Sequence, residues 1–248
     1  MSVAEYAQMA LLVAVASFCQ NLTGFAFALI FVGAAGALRL MPIADAANIA
    51  SLLSLVNGVV YLRSHPFEPR WDLLRPLLLS SVPGVGLGLA LLLWLGGQTL
   101  DGLRMALGLV VMACAVLLLA QKRRRTTPSG PAALWGAGLL SGVLGGLFAT
   151  AGPPIVYHLY RQPLPPALVR QCLLSTFLAC TLARLAVVIP AGQLPWHAVW
   201  ASAIAVPVVA GVTWLHARRP PRLPLRVVQW IVCALLMLAG ASLLASGL

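Results

Sequence analysis

The sequence has few charged residues and very few acidic ones. Only 8% of its 248 residues are charged and five are Asp or Glu, whereas 61% are hydrophobic. A soluble domain carries about 25% charged residues, so this chain has too little polar surface to cover a water-soluble globule. The composition excludes a cytosolic enzyme, a disordered protein and a secreted disulfide scaffold, and it indicates a polytopic helical membrane protein.

Motifs of catalysis and metal binding are also missing. No HExxH or GxSxG is present, and no acidic pair lies within an apolar segment. The five cysteines lie in apolar stretches without a CxxC spacing, which indicates small buried side chains. We therefore predict that the protein is not an enzyme, with no catalytic residue, no metal and no cofactor.

Ten apolar segments fit this chain when each crossing needs about 20 residues. They are 4–20, 24–40, 45–63, 73–95 and 101–120 in the first half, and 132–148, 153–162, 166–190, 196–216 and 225–246 in the second. The segment 153–162 is too short to cross a hydrocarbon core of about 30 Å at about 1.5 Å per residue. We therefore predict that 132–162 forms a hairpin.

The basic residues predict which ends of these segments face the cytoplasm. With a hairpin at 132–162, thirteen Lys and Arg residues, including the cluster at 122–125, fall on one side, and only Arg39 and Arg104 fall on the other. The positive-inside rule places the thirteen in the cytoplasm and both termini outside. Because the bases lie in short loops between apolar runs, the formal net charge of +11 does not indicate nucleic acid.

Three pairs of landmarks recur at a spacing of about half the chain. They are Trp71 and Trp196, Val82-Pro83 and Val206-Pro207, and Leu103-Arg104 and Leu225-Arg226, at offsets of 125, 124 and 122 residues. The chain therefore divides into two five-segment repeats, 1–121 and 132–248, joined by a basic linker at 122–131. Because each repeat has an odd number of segments, the second copy would enter the membrane from the opposite side. The two copies would then be inverted about an axis in the membrane plane, as in many secondary transporters. Chance recurrence in an apolar sequence is the alternative.

Glycine, proline and polar residues interrupt the apolar pattern near the start of each repeat. Residues 20–24 read QNLTG, and residues 149–154 end in Pro153-Pro154, with Thr150 placed to cap the helix that follows. Proline starts or ends a helix, and irregular backbone at membrane depth persists only where protein or a water-filled cavity satisfies it. We expect the two breaks to meet near the midplane and to direct helix N-termini at an anion. Close packing or a simple kink is the alternative.

These interruptions resemble a known family. The stretch GLLSGVLGGLFATAGPP at 138–154 resembles the second-half signature of the TauE/SafE sulfite exporter family, also called TSUP permeases, and NLTGFAFALIFVG at 21–33 resembles its first-half counterpart. The resemblance covers nearly the whole chain. It implies an exporter of a small anion, such as sulfite, a sulfonate or a carboxylate, in the bacterial inner membrane. Ala26, Phe27 and Ala28 stand where many members carry glycine, and residues 149–152 read ATAG where a richer glycine run is common. These larger side chains are expected to narrow a site lined by backbone.

Arg184 is the most informative single residue, because it is a charge without an acidic neighbour deep in segment 166–190. Such a charge costs at least about 2.5 kcal/mol in a membrane helix unless it faces a cavity or a partner. A guanidinium binds a sulfonate or carboxylate through two hydrogen bonds, so a substrate anion is the expected counter-charge. A bond to backbone carbonyls of a broken helix, or snorkelling to the surface, is the alternative.

The other candidates are residues near the breaks or at equivalent positions of the two repeats. The predicted substrate-binding residues are Arg184, Asn21, Thr23, Gly24, Asn48, Ser51, Thr150, Gly152, Gln171, Ser175 and Thr181. For the polar ones, hydrogen bonding between helices is the competing role. The expected partners are a small anion and the lipid bilayer, and the expected assembly is a monomer or homodimer. The alternative functions are an anion channel and a structural membrane subunit.

Overall fold

The computed structural model describes residues 3–64, 70–96, 100–119, 129–219 and 225–246. These residues form ten α-helices and no strand, which confirms the predicted all-α fold. The helices are α1 Val3–Thr23, α2 Phe27–Ala37, α3 Ile43–Ser64, α4 Trp71–Gly96, α5 Leu100–Leu119, α6 Pro131–Phe148, α7 Pro153–Tyr160, α8 Pro166–Val188, α9 Trp196–Arg218 and α10 Leu225–Ser246. The basic cluster at 122–125, with most of the predicted linker, lies outside the described residues.

The outer surface of the helix bundle is suited to lipid. Among the described residues, α3, α4, α6, α8 and α9 are long and apolar enough to cross a membrane. Large apolar side chains face outward on these helices, for example Leu79, Trp196 and Ile204. Exposed apolar area on this scale marks contact with a membrane or a partner. The protein is therefore a multi-pass membrane protein.

The two predicted interruptions are breaks between helices. Residues 24–26 separate α1 from α2, with Gly24 at φ +79° and Ala26 at φ 86°, and residues 149–152 separate α6 from α7, with Ala149 at φ 57°. Left-handed backbone cannot continue a right-handed helix, so the chain must change direction at each of the two breaks. The breaks face one another, because the Phe25 side chain lies next to Gly152.

Local hydrogen bonds hold both breaks in place. The Thr23 hydroxyl donates to the Cys19 carbonyl at 2.7 Å, and the Tyr160 hydroxyl at the end of α7 donates to the Thr23 carbonyl at 2.5 Å.

Thr150 does not cap α7 as its position in the sequence predicted. Its hydroxyl lies 3.5 Å from the Leu144 carbonyl, and the α7 N-cap is Gly152 without a side-chain bond. The left-handed turn at Ala149 directs Thr150 back toward α6, so that prediction is wrong.

Helices α4 and α6 form the most extensive contact of the bundle, because glycines line it. A Cβ on Gly142 would lie 2.1 Å from the Ser81 carbonyl oxygen, and one on Gly88 would lie 2.1 Å from the Val143 carbonyl oxygen. Small residues allow membrane helices to approach to backbone contact in this way. The contact fixes the end of α6 that precedes the second break.

The other large contacts pair helices of the first half of the chain with helices of the second half. Helix α5 packs antiparallel on α10, with Gly108 next to Gly240 and the Cys233 thiol 3.5 Å from the Ala115 carbonyl. All five cysteines are buried and free, as predicted. Helix α3 packs on both α8 and α9.

Two contacts show which loops share a face of the bundle. The Asn48 amide donates to the Gln193 carbonyl at 2.9 Å, so the loops before α3 and before α9 lie together on what we call the Arg39 face. The Ser129 backbone N–H donates to the Gln162 side-chain oxygen at 3.0 Å, so the start of α6 and the end of α7 also lie together. We call the second location the Gln162 face.

Candidate functional site

Arg184 lies near the end of α8 and is only 2% exposed. Its Nη1 donates to the Asn48 side-chain oxygen at 2.9 Å and to the Ser51 hydroxyl oxygen at 3.0 Å. Its Nε lies 3.4 Å from the Gly146 carbonyl, in the last turns of α6 before the second break. The guanidinium therefore joins α8, α3 and α6 at one point.

The sequence of α3 explains how two oxygen acceptors reach Arg184. Asn48 and Ser51 are three residues apart and therefore share one face of the helix. The Asn48 amide nitrogen is bonded to Gln193, which turns its oxygen toward Arg184. The Ser51 hydroxyl donates to the Ala47 carbonyl at 2.7 Å, which leaves its oxygen lone pairs for Arg184.

The charge of Arg184 is not matched by any carboxylate that the structure describes. Its three partners are all neutral, and the described ion pairs join other residues. No hydrogen bond joins Nη2 to a described residue. Because a guanidinium has five N–H donors, Arg184 keeps donors for an additional ligand, and an anion would balance its charge.

A small cavity lies between the two breaks, with Arg184 in its wall. We call it the central cavity, and its volume is about 40 Å³. Since one water needs about 10–15 Å³ on this measure, the space holds a few waters or a small oxyanion. It is lined by Gln20, Phe25, Ala26, Phe27, Ala28, Leu29, Ser51, Ser54, Gly58, Gly145, Ala149, Thr150, Ala151, Gly152, Leu174, Phe177, Leu178, Cys180, Thr181 and Arg184.

A second, larger cavity lies on the other side of Arg184. This vestibule has a volume of about 670 Å³ and extends to the Arg39 face, where the exposed Arg39 is part of its wall. Arg184 lines both cavities, whereas Asn48 lines only the vestibule and Ser51 only the central cavity. The guanidinium and its two bonds to α3 therefore separate the two spaces. No described acidic residue lines either of them.

The structure brings six of the predicted site residues together. Arg184, Ser51, Thr150, Gly152 and Thr181 line the central cavity, and Asn48 contacts Arg184 from the vestibule. Asn48 and Ser51 come from α3, whereas the other four residues come from the second break and from α8, roughly a hundred or more positions later in the sequence.

The other five predicted residues do not line the central cavity, and three of them have clear structural contacts. Gly24 forms the left-handed turn after α1, and the Thr23 hydroxyl bonds to its own helix. The Asn21 amide donates to the Thr213 hydroxyl at 3.2 Å, which donates in turn to Asn57 at 3.1 Å. Gln171 and Ser175, also absent from the lining, lie on α8.

Gln20 was not among the predicted site residues, yet it lines the central cavity. It is 4% exposed, and its Oε1 has no hydrogen-bond partner. Its place beside the first break was visible in the sequence. Which of the neighbouring residues in QNLTG faces the cavity depends on the rotation of α1, which the sequence does not show.

Comparison with known proteins identifies the family of this chain. The family described as sulfite exporter TauE/SafE matches residues 9–243. The chain is also similar to a protein of Cupriavidus necator named probable sulfite/organosulfonate exporter TauE, with 28% identity over 228 residues, 92% of this chain and 89% of the relative. No solved structure gives a significant match. Because the family match extends over most of a multi-pass helical chain, this protein belongs to the sulfite exporter TauE/SafE family of membrane transporters.

Proposed function

We propose that this protein is a secondary transporter that exports sulfite or a small organosulfonate, with Arg184 as the main substrate ligand. The supporting observation is the buried guanidinium with neutral partners and unused donors, which lies between the central cavity and the vestibule. A guanidinium is suited to this task because its N–H groups match two oxygens of a sulfonate. The name of the relative supports the same substrate class.

We further propose that α1–α5 and α6–α10 are inverted repeats, covering 1–121 and 132–248. The helix pairs support this relation, because exchanging the halves turns the α3·α9 contact into α4·α8 and the α1·α9 contact into α4·α6, and all four contacts are present. The α5·α10 contact maps onto itself. An axis in the membrane plane makes these two helices antiparallel, as they are, whereas an axis along the membrane normal would make them parallel.

The proposed mechanism is alternating access between the two repeats. In the described conformation the vestibule leads from the Arg39 face to Arg184, and the central cavity lies behind the guanidinium. Moving one repeat against the other would close the vestibule and open the central cavity toward the Gln162 face. Ser51, Thr150, Gly152 and Thr181 would contact the anion, while Asn21, Thr23 and Gly24 would hold the first break in shape.

The proposed orientation places the Arg39 face and both termini in the periplasm, and the basic loops in the cytoplasm of a bacterial inner membrane. The grouping of loops supports it. The loop before α9, predicted outside, contacts the start of α3, whose preceding loop is also predicted outside, and the loops predicted inside meet at Ser129 and Gln162. In this orientation a potential that is negative inside drives an anion outward by about 2.3 kcal/mol per charge per 100 mV.

The proposal is tested with Arg184→Gln and Arg184→Lys, first by thermal unfolding in detergent and then by transport in proteoliposomes. We expect sulfite to raise the melting temperature of the wild type and to leave that of Arg184→Gln unchanged, with Arg184→Lys intermediate because lysine keeps the charge without the planar fork. The matched control is Arg218→Gln, which removes an arginine that lies over the Trp214 ring away from both cavities. Monodisperse elution of each variant in detergent shows that it folds.

Transport separates the proposed carrier from its alternatives. Sulfite efflux should follow a potential set with valinomycin, saturate with sulfite concentration and disappear in Arg184→Gln. Efflux that follows a proton gradient but not the potential would contradict the driving force. Single-channel conductance in planar bilayers would instead support an anion channel, and unchanged sulfite affinity in Arg184→Gln would remove Arg184 from the site.

A further inference from the structure

The Gln20 side chain is a buried polar group that the protein itself leaves without a complete set of partners. It is 96% removed from solvent, and its Oε1 has no hydrogen-bond partner. Buried polar atoms in proteins are nearly always satisfied, and an exception calls for an explanation. Gln20 lines the central cavity, so a molecule in that cavity is able to supply the missing donor.

The position of Gln20 is fixed independently of any ligand. Its backbone carbonyl accepts the Gly24 N–H at 2.6 Å, which closes the turn at the first break. The side chain therefore starts from a rigid point on α1, while Arg184 enters the same cavity from α8. The cavity thus has a cationic donor on one helix and a neutral acceptor on another.

The charge of the lining limits the charge of the ligand. Among the described residues that line the central cavity, Arg184 is the one with a formal charge. A monoanion would be balanced by it, whereas a dianion would keep one charge that is buried without a partner, which is costly at membrane depth. A ligand with one negative charge therefore fits this cavity better than one with two.

We infer that Gln20 determines specificity, and that the substrate is a small monoanion whose oxyanion end binds Arg184 and whose own hydrogen-bond donor binds Gln20 Oε1. This inference rests on the proposed function for the role of Arg184. It assigns sulfite transport to the singly protonated form, hydrogensulfite, since sulfite itself has two charges and no donor. The cavity of about 40 Å³ agrees with an anion of this size.

The test compares two anions of equal charge and nearly equal shape. Sulfamate and methanesulfonate are both monoanions at neutral pH. Sulfamate carries an amino group where methanesulfonate carries a methyl group. Methanesulfonate leaves Oε1 unpaired, and sites built around a hydrogen bond reject analogues that lack it. We expect the purified full-length wild type to bind sulfamate about tenfold more tightly than methanesulfonate in competition with sulfite.

Two substitutions of Gln20 take the acceptor oxygen away from the ligand. Gln20→Met keeps the length of the side chain without a polar end, and Gln20→Asn withdraws the amide by one methylene. Both should reduce the preference for sulfamate to within about twofold, and the second variant serves if the first does not fold. The matched control is Ser17→Ala, one turn earlier on α1, where a buried hydroxyl without a partner does not line the cavity. It should keep the tenfold preference.

The outcomes separate this inference from the function on which it rests. Equal affinity of the wild type for the two anions, or a tenfold preference that persists in Gln20→Met, would overturn the role of Gln20 while leaving Arg184 in place. If the wild type binds neither these anions nor sulfite, the proposed function itself fails. Loss of both anions in Arg184→Gln, together with loss of the preference alone in Gln20→Met, is the result that we expect.

Discussion

Replacing Gly142 by alanine should separate α4 from α6 and thereby weaken the whole bundle. A Cβ on Gly142 would lie 2.1 Å from the Ser81 carbonyl oxygen and 2.9 Å from the Gly84 Cα, whereas ordinary contacts begin at 3.4 Å. Both neighbours are backbone atoms, so no side chain can rotate away. The helices must move apart by roughly 1 Å, which disturbs the close packing of the surrounding side chains.

The size of the effect follows from two opposing terms. Forcing an extra methyl group into a packed interface costs about 1–3 kcal/mol, while replacing glycine by alanine within a helix gains about 0.5–1 kcal/mol. Gly136 lies on the same helix and has nothing within 4 Å of its added Cβ, so Gly136→Ala should show only the gain in helix stability. Because the gain is common to both variants, they should differ by the packing cost of about 1–3 kcal/mol, which corresponds to about 2–12 °C in melting temperature for a chain of this size.

The assay is thermal unfolding of both variants in the same detergent, followed by sulfite binding. Gly142→Ala should also bind sulfite more weakly, because α6 carries the Gly146 carbonyl that faces Arg184. A melting temperature of Gly142→Ala equal to that of Gly136→Ala would show that α4 and α6 are not in backbone contact. It would thus refute the packing on which the position of the second break depends.

Three further substitutions test separate features. Asn48→Asp should place a carboxylate against Arg184, so that sulfite no longer raises the melting temperature although the variant folds normally. Arg39→Gln should slow sulfite entry from the vestibule at low ionic strength and have little effect at high salt, because exposed charges act mainly by steering. Tyr160→Phe should lower the melting temperature by about 2–4 °C, since it removes a hydroxyl that donates to the Thr23 carbonyl and contributes about 1 kcal/mol.

Much of the architecture could be predicted from the sequence because the membrane imposes strong rules. Segment lengths follow from the thickness of the hydrocarbon core, and glycine and proline mark where helices are interrupted. The burial of Arg184 could be predicted for the same reason, since a charge at that depth requires a polar surrounding. Asn48 and Ser51 could be predicted to act together from their spacing on one helix.

The sequence could not show which face of each helix turns toward the cavity. A helix that is apolar on all sides has no amphipathic pattern to define its rotation, and the rotation then depends on packing against neighbours. Ser51 on α3 therefore lines the central cavity, while Ser175 on α8, the helix that corresponds to α3 in the second repeat, does not. The same reason explains why Gln20 faces the cavity and Asn21, one residue later, bonds to Thr213 instead.

In the proposed mechanism, the hydrogen bonds of Arg184 to neutral oxygens would also allow a bound anion to be released. In the described conformation, Asn48 and Ser51 occupy Nη1 with oxygen atoms at 2.9 and 3.0 Å, in the way that two oxygens of a bound anion would. An incoming anion can bind the unused Nη2 donors, but at Nη1 it has to replace contacts that already exist. The net gain at Nη1 is then only the difference between two hydrogen bonds to the same charged group, each of about 1.5–3 kcal/mol. Because the difference is small, Asn48 and Ser51 would return to Arg184 when the anion leaves through the vestibule. A carrier needs binding that is reversible on the side of release, and the two neutral oxygens on α3 would supply it without a second charged group.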